Sequence, residues 1–247
     1  MSIIPEHMLQ ARRKISNKYL IGQGLEVGAL HYPLWIGEKA NVRYVDRLSV
    51  EELRLQYPEL NQYKLVNVDI IDNGEKLERI TNNSVDFIIG NHLLEHCENP
   101  LATIRNHLSK LRNSGILYYA IPDKRHSFDL DRPLTSFEHL VRDDREGSEV
   151  SRIEHFHEWV VLVNKVKDDE IDASLQKLLE INYSIHFHVW NDSTFPEFLL
   201  RAQKYLNHSF EIVHVEQNDT EIIAILRKTN HGLLAKLKSY VRNSWIN

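Results

Sequence analysis

The chain has a single cysteine, Cys97, in 247 residues. That excludes an internal disulfide and a cysteine-rich metal cluster, and it fits a reducing compartment. It also lacks an apolar run near the ~20 residues that cross a bilayer. Residues 1–14 carry Glu6, Arg12 and Arg13 where a secretory signal has an apolar core of roughly 7–15 residues. Repeats and low-complexity tracts are missing too. Nor is there an excess of positive charge: 30 Lys and Arg stand against 35 Asp and Glu, so no global basic field invites nucleic acid. The expectation is a cytoplasmic protein with no integral membrane segment and a core large enough for one full domain. Histidine is what the chain has in plenty, with 14 copies, several of them between positions 126 and 188.

Hydrophobic periodicity divides the chain into alternating strands and helices. Residues 5–20 have helical spacing through Met8, Leu9 and Ile15. Residues 25–28, 41–46, 65–69, 85–90 and 116–121 read as strands, the fourth an apolar run of the kind buried on both faces. Ser49 is a natural N-cap for a helix with Glu51 and Glu52 in its first turn. Pro100 opens another helix through Leu101, Ile104, Leu108 and Leu111, with a stop signal at Asn113, Ser114 and Gly115. Strand and helix in alternation predict a parallel sheet with right-handed crossovers. The pattern then breaks, with helical pieces at 135–145, 152–166 and 169–181. A helix at 193–206 and a hairpin of 210–215 with 221–226 close the chain. The fold class expected is therefore α/β: a doubly wound, mostly parallel sheet, a closing antiparallel hairpin, and a helical cap inserted after strand five. Residues 1–230 form one domain, with the cap at about 124–192. Residues 231–247 form a basic amphipathic tail that packs on its own domain or makes peripheral contact with a membrane or partner. Oligomeric state leaves no mark on the sequence.

In such folds the ligand lies at the carboxyl ends of the strands. Those ends carry Glu26-x-Gly28, Asp46, Asp69, Gly90-Asn91-His92 and Asp123. A glycine after strand one lets the backbone approach a nucleotide-like ligand. An acid at the end of strand two accepts hydrogen bonds from both hydroxyls of a ribose, and one a strand further out accepts from an adenine amine.

With these residues the chain resembles the class I S-adenosylmethionine-dependent methyltransferases, in the small methyltransferase-domain type. The resemblance rests on Glu26-x-Gly28, Asp46, Asp69 and the hexamer Asn91-His92-Leu93-Leu94-Glu95-His96. It implies the Rossmann-like seven-stranded methyltransferase sheet and S-adenosylmethionine as cofactor. It also implies a cofactor site of Glu26, Gly28, Asp46, Arg47, Asp69, Ile70, Asn91 and His92. Leu30 and Tyr32 stand where the family repeats its glycines. A narrower resemblance, to methyltransferases encoded near glycosyltransferases in bacterial polysaccharide pathways, rests on the stretch from Pro122 to Pro133, on Glu138-His139 and on His186-Phe187-His188-Val189. The cap also holds Lys124, Arg125, Arg132, Arg142 and Arg145 among many acids, a lining that favours a polar, hydroxylated small-molecule or glycan acceptor, such as a sugar hydroxyl, over an apolar aromatic one.

Methyl transfer needs alignment of nucleophile, methyl and sulfur, and a hydroxyl acceptor must lose its proton to a nearby base. In an extended 185–190, His186, His188 and Trp190 share one face and Ile185, Phe187 and Val189 the other. In a helical 154–159, His155 and His157 point apart, so one at most reaches the same cleft. His126, Asp129 and His188 are the leading catalytic candidates, with His157 and His186 behind them.

Three other readings compete. His92-x-x-Glu95-His96 has the spacing of an inverted zinc-peptidase motif. Gly22-x-Gly24-x-x-x-Gly28 can be read as a nicotinamide-dinucleotide fingerprint if a helix starts near Gly24. A methyltransferase-like protein that binds without catalysis is the third. The expected site holds no metal.

Overall fold

The apolar run at 85–90 sits at the centre of the sheet, where a strand loses contact with water on both faces. The structure, a computed structural model, describes residues 4–229. The expected tail helix at 231–247 lies outside the described residues. Among the described residues seven strands occur: β1 (Gly22–Val27), β2 (Ala40–Asp46), β3 (Ile70–Ile71), β4 (Val85–Asn91), β5 (Leu111–Pro122), β6 (Phe210–Asn218) and β7 (Glu221–Lys228). They form one sheet in the order β3-β2-β1-β4-β5-β7-β6, parallel through β5, with β7 antiparallel to both β5 and β6. The helices are α1 (Glu6–Tyr19), α2 (Val50–Gln56), α3 (Pro100–Lys110), α4 (Phe137–Glu146), α5 (Glu149–Glu158), α6 (Ile171–Glu180) and α7 (Thr194–Tyr205). None of the described helices is long and apolar enough to cross a membrane.

Side-chain alternation along β5 shows how the core is built. Leu117, Tyr119 and Ile121 pack on one face with Leu101, Ile104 and Leu108 of α3 and with Phe195, Phe198 and Leu199 of α7. Ile116, Tyr118 and Ala120 pack on the other with Ile15 of α1 and Leu20. Each face is a separate apolar cluster, so the sheet is a wall covered on both sides. The cap has its own smaller cluster around Phe156, Trp159, Ile185 and Phe187.

Local chemistry sets several element ends. Ser49 and Glu52 form a reciprocal capping box at the start of α2. Asn99 caps α3, with Pro100 in its first turn. Gly24 lies inside β1 because an added Cβ would stand 2.1 Å from the Phe87 ring. This glycine is therefore a packing residue within a strand, and no helix starts near it, as the dinucleotide reading required.

The structure moves some boundaries. The expected third strand at 65–69 pairs two residues later, where Ile70 and Ile71 sit against Val45 and Asp46. Its earlier part is held by single bonds, Val66 N–H to Leu30 O and Asp69 N–H to Tyr44 O. At α3 the helix stops at Lys110, before the expected Asn-Ser-Gly signal. Leu111 already pairs with Val85, and the pairing then jumps to Phe87 with Ile116, so the intervening residues, including Ser114 at φ +63°, are absorbed as an irregularity of β5.

Candidate active site

The strand order reverses between β1 and β4, and a cavity of about 400 Å³ opens there. Its wall includes Gly28 to Tyr32 after β1, Asn91 at the end of β4 with His92 and His96 beyond it, Met8 and Arg12 of α1, and Thr220 and Glu221 at the start of β7. Gly28 turns the chain at φ +69°, and an added Cβ there would meet nothing within 4 Å. The glycine is thus demanded by backbone angle, and the space above it is open.

Two polar groups on this wall have no protein partner. Both amide atoms of Asn91 are buried and unbonded, and so are both ring nitrogens of His31, which stacks on Tyr63 at 4.2 Å between centroids. Unpaired buried polar atoms on a cavity wall point to a polar ligand.

The floor is a charge network. Arg12 Nε donates to Glu221 Oε1 at 2.8 Å, and His92 Nε2 donates to Glu221 Oε2 at 2.9 Å. His92 Nδ1 also lies 3.4 Å from Glu95 Oε1. Burial works against both ionised forms, yet the pairing wins. Arg12 and His92 hold Glu221 down at about 2, and Glu221 with Glu95 raises His92 to about 9. The His92 ring is ringed by protein but 40% of its side chain faces the cavity. It presents a cation there.

Of the expected cofactor residues, the cavity wall contains Gly28, Asn91 and His92. Glu26 is fully buried beneath it, both oxygens accepting from Leu34 N–H at 2.9 and 3.1 Å, and burial raises its carboxyl to about 7. Asp46 is buried at the end of β2, raised by burial against hydrogen bonds from Arg47 and Leu48 N–H. Arg47 turns its guanidinium away, donating to the Tyr57 hydroxyl at 2.8 Å. Asp69 departs furthest from its expected place. It precedes the paired residues Ile70 and Ile71, and its Oδ2 accepts from Tyr44 N–H at 2.8 Å. The acid at the carboxyl end of β3 is Asp72, which is buried and accepts from Asn73 and Arg79 N–H.

The cap candidates separate. His126 and His157 are exposed, the latter on the outer side of α5. Asp129 and His186 meet, His186 Nδ1 donating to Asp129 Oδ2 at 2.6 Å. Buried Arg132 locks the pair, donating to Asp129 Oδ1 and to the carbonyls of His186 and Phe187. His186 stands with its ring 4.5 Å from that of His96, beside Glu95, whose two oxygens have no hydrogen bond. His96 Nδ1 donates to Ile185 O at 2.9 Å, and burial and His186 push its ring down to about 4. His188 is buried elsewhere, with His139 and His155.

The expected division of 185–190 into an apolar and a cleft face fails, since all six side chains are buried. Trp190 joins the main core against Phe195 and Phe198, with the His188 ring 5.7 Å away. The competing peptidase reading, which needs His92 and His96 on one helical face, fails as well. The chain there is a single 3₁₀ turn, Leu94–His96, with His92 at φ +50° ahead of it.

Sequence reasoning missed Arg12, Glu221 and His96. Arg12 had a signal, since it sits in the buried stripe of α1 with Met8 and Ile15, where a cation needs a partner. His96 had one too, since it closes the hexamer after strand four, whereas Glu221 had none, because its partners come from α1 and from the loop after β4.

No family model and no curated protein matches the sequence. Solved structures do resemble the fold. A chain from the complex between a Haloferax volcanii methyltransferase activator and its methyltransferase superposes with a TM-score of 0.50 at 10% identity, covering 91% of this chain and 90% of that one. An Aquifex aeolicus SAM-dependent methyltransferase gives 0.47 at 14%, covering 92% and 90%. The CurJ carbon methyltransferase gives 0.44 at 13%, covering 86% of this chain and 49% of that one, so this chain spans about half its length. At such identities the likeness is one of fold. The sheet, with its antiparallel closing strands, is the Rossmann-like methyltransferase fold.

Proposed function

We propose that this chain is an S-adenosylmethionine-dependent methyltransferase that methylates a hydroxyl of a sugar or glycan intermediate. The observation that carries the reading is the cavity at the β1/β4 reversal, where Gly28 leaves open space and Asn91 and His31 bring unpaired polar atoms. Those features fit the amino-acid end of the cofactor, and Asp46 at the end of the neighbouring strand suits its ribose. When bound, the cofactor supplies an electrophilic methyl group on a sulfonium. The chain's part is to hold the acceptor in line and take its proton. His186 is the base in this reading, because Asp129 fixes its tautomer and leaves Nε2 to accept. Asp129 orients it, while exposed His126 and His157 have no part. The charged cap residues Lys124, Arg125, Arg142 and Arg145, set among many acids, suit a hydroxylated acceptor better than an aromatic one.

Titration calorimetry of the full chain with S-adenosylmethionine, S-adenosylhomocysteine and NADH tests the cofactor. Binding of the first two and not the third is expected, and NADH binding alone would overturn the reading. Turnover assays on sugar acceptors then separate an enzyme from a binding protein.

A further inference from the structure

The cap contains a second group of side chains that the proposed reaction does not use. His139 and Asp143 lie one turn apart on α4, His155 comes from α5, and His188 from the extended segment at 185–190. His139 Nε2 is 3.0 Å from His155 Nε2 and 3.0 Å from Asp143 Oδ2. The second contact lacks hydrogen-bond alignment, so Asp143 Oδ2 is buried without a partner. His188 Nε2 donates to Glu98 O at 3.3 Å, which leaves Nδ1 as a lone pair, buried and likewise unpartnered. The three histidine ligand atoms all lie within 4.8 Å of one another.

Hydrogen bonds alone do not satisfy this arrangement. Arg142 donates to His139 Nδ1 at 3.0 Å, so the single His139 proton sits on Nε2 and serves His155 or Asp143, not both. His188 Nδ1 faces the same space with nothing to accept from. A cation held by the three histidines resolves the conflict among their ring nitrogens. Three imidazoles and one open position are the donor set of a tetrahedral site, whose bonds of ~2.0–2.1 Å place ligand atoms about 3.3 Å apart. The 3.0 Å between the Nε2 atoms of His139 and His155 is within a few tenths of that edge, and the ligand atoms of all three histidines lie within 4.8 Å of one another. The Glu98 carbonyl on the far nitrogen of His188 is the outer partner that orients a metal-binding imidazole. The exposed Arg142 is free to swing aside as the His139 proton moves to Nδ1.

We infer that His139, His155 and His188 form a structural site for a divalent transition ion of the zinc type, with the Asp143 carboxylate beside His139. The ion ties α4, α5 and the 185–190 segment together, and so fixes His186, two residues before His188. This inference stands apart from the proposed reaction, because it concerns metal content and cap stability.

The test is equilibrium dialysis of the chelator-stripped full chain against Zn²⁺, read by elemental analysis, with thermal melts alongside. One equivalent is expected to bind and, at a thousandfold excess over Kd, to raise the melting temperature by about 8–16 °C. His155→Ala and His188→Ala are each expected to weaken binding more than about 100-fold. Glu95→Gln, in the neighbouring group of Glu95, His96 and His186, is expected to leave it unchanged. His155→Gln keeps most of the side-chain volume and so reads the site even where the alanine variants do not fold. No bound zinc in the wild-type chain would overturn the inference. So would zinc that survives His155→Gln in folded protein, or that is lost on Glu95→Gln.

Discussion

Replacing Glu221 by glutamine removes one negative charge from beneath the cavity and strands two cations. Arg12 is buried and makes both of its side-chain hydrogen bonds to Glu221, and His92 makes its short one there. Breaking a buried pair by removing one partner costs about 3–5 kcal/mol, because the remaining charge is uncompensated. For a chain of this size that corresponds to a fall in melting temperature of roughly 6–20 °C. The pH dependence sharpens the test. Glu221 is depressed to about 2 from its ordinary 4.5, so its contribution is complete above 4.5 and is lost as pH falls toward 2. His92 is raised to about 9 from 6.5, so its contribution is complete below 6.5 and is lost as pH rises through 9. The network therefore stabilises most between 4.5 and 6.5. Glu221→Gln should flatten both arms of the stability profile and move the His92 titration, followed by NMR, down toward its ordinary value. Adding Arg12→Met removes the stranded guanidinium, so the double variant should be more stable than Glu221→Gln alone. A variant within about 1 kcal/mol of wild type, with an unmoved His92 titration, would refute the network. Strict additivity in the double variant would refute the Arg12 link.

Other perturbations separate the cofactor floor from the packing beneath it. Asp46→Ala should weaken S-adenosylmethionine binding by about 1–3 kcal/mol, roughly 5- to 150-fold, since ribose hydroxyls lose a buried acceptor; calorimetry showing equal affinity would remove the ribose assignment. Asp69→Ala should leave that affinity unchanged, because its carboxylate serves Tyr44 N–H, and an equal loss would restore the adenine role expected from the sequence. Glu26, raised to about 7, binds a proton in the folded chain that the unfolded one gives up near 4.5, so stability falls as pH rises between those values. Denaturant titrations of Glu26→Gln should show that slope flattened, by up to ~3 kcal/mol at neutral pH, and an unchanged slope would place the titration elsewhere. Gly24→Ala drives a Cβ into the Phe87 ring and should cost about 1–3 kcal/mol or more, whereas Gly28→Ala meets open space and costs only the backbone strain of ~1–2 kcal/mol. Urea midpoints in the reverse order would contradict the packing.

The sequence by itself determined the layered architecture. Strand and helix periods, the Ser49 cap and the helix start at Pro100 are encoded within a few residues, where backbone sterics and one-sided burial act locally. It also placed Gly28 and Asp46 at strand ends, because a parallel sheet puts all those ends on one edge. It could not set the reach of β3. Two residues of slip turned Asp69 from the end of a strand into a backbone cap and gave Asp72 that place. Nor could it sort the histidines. His126, His157, His186 and His188 look alike along the chain, but only the packing of α4, α5 and the 185–190 segment sends two to the surface and two to different buried clusters. Arg12, His92 and Glu221 meet for a similar reason: α1, the loop after β4 and the start of β7 border one cavity once β4, β5 and β7 lie side by side. Contacts between residues 129 and 209 positions apart belong to the sheet order, and no local pattern carries them.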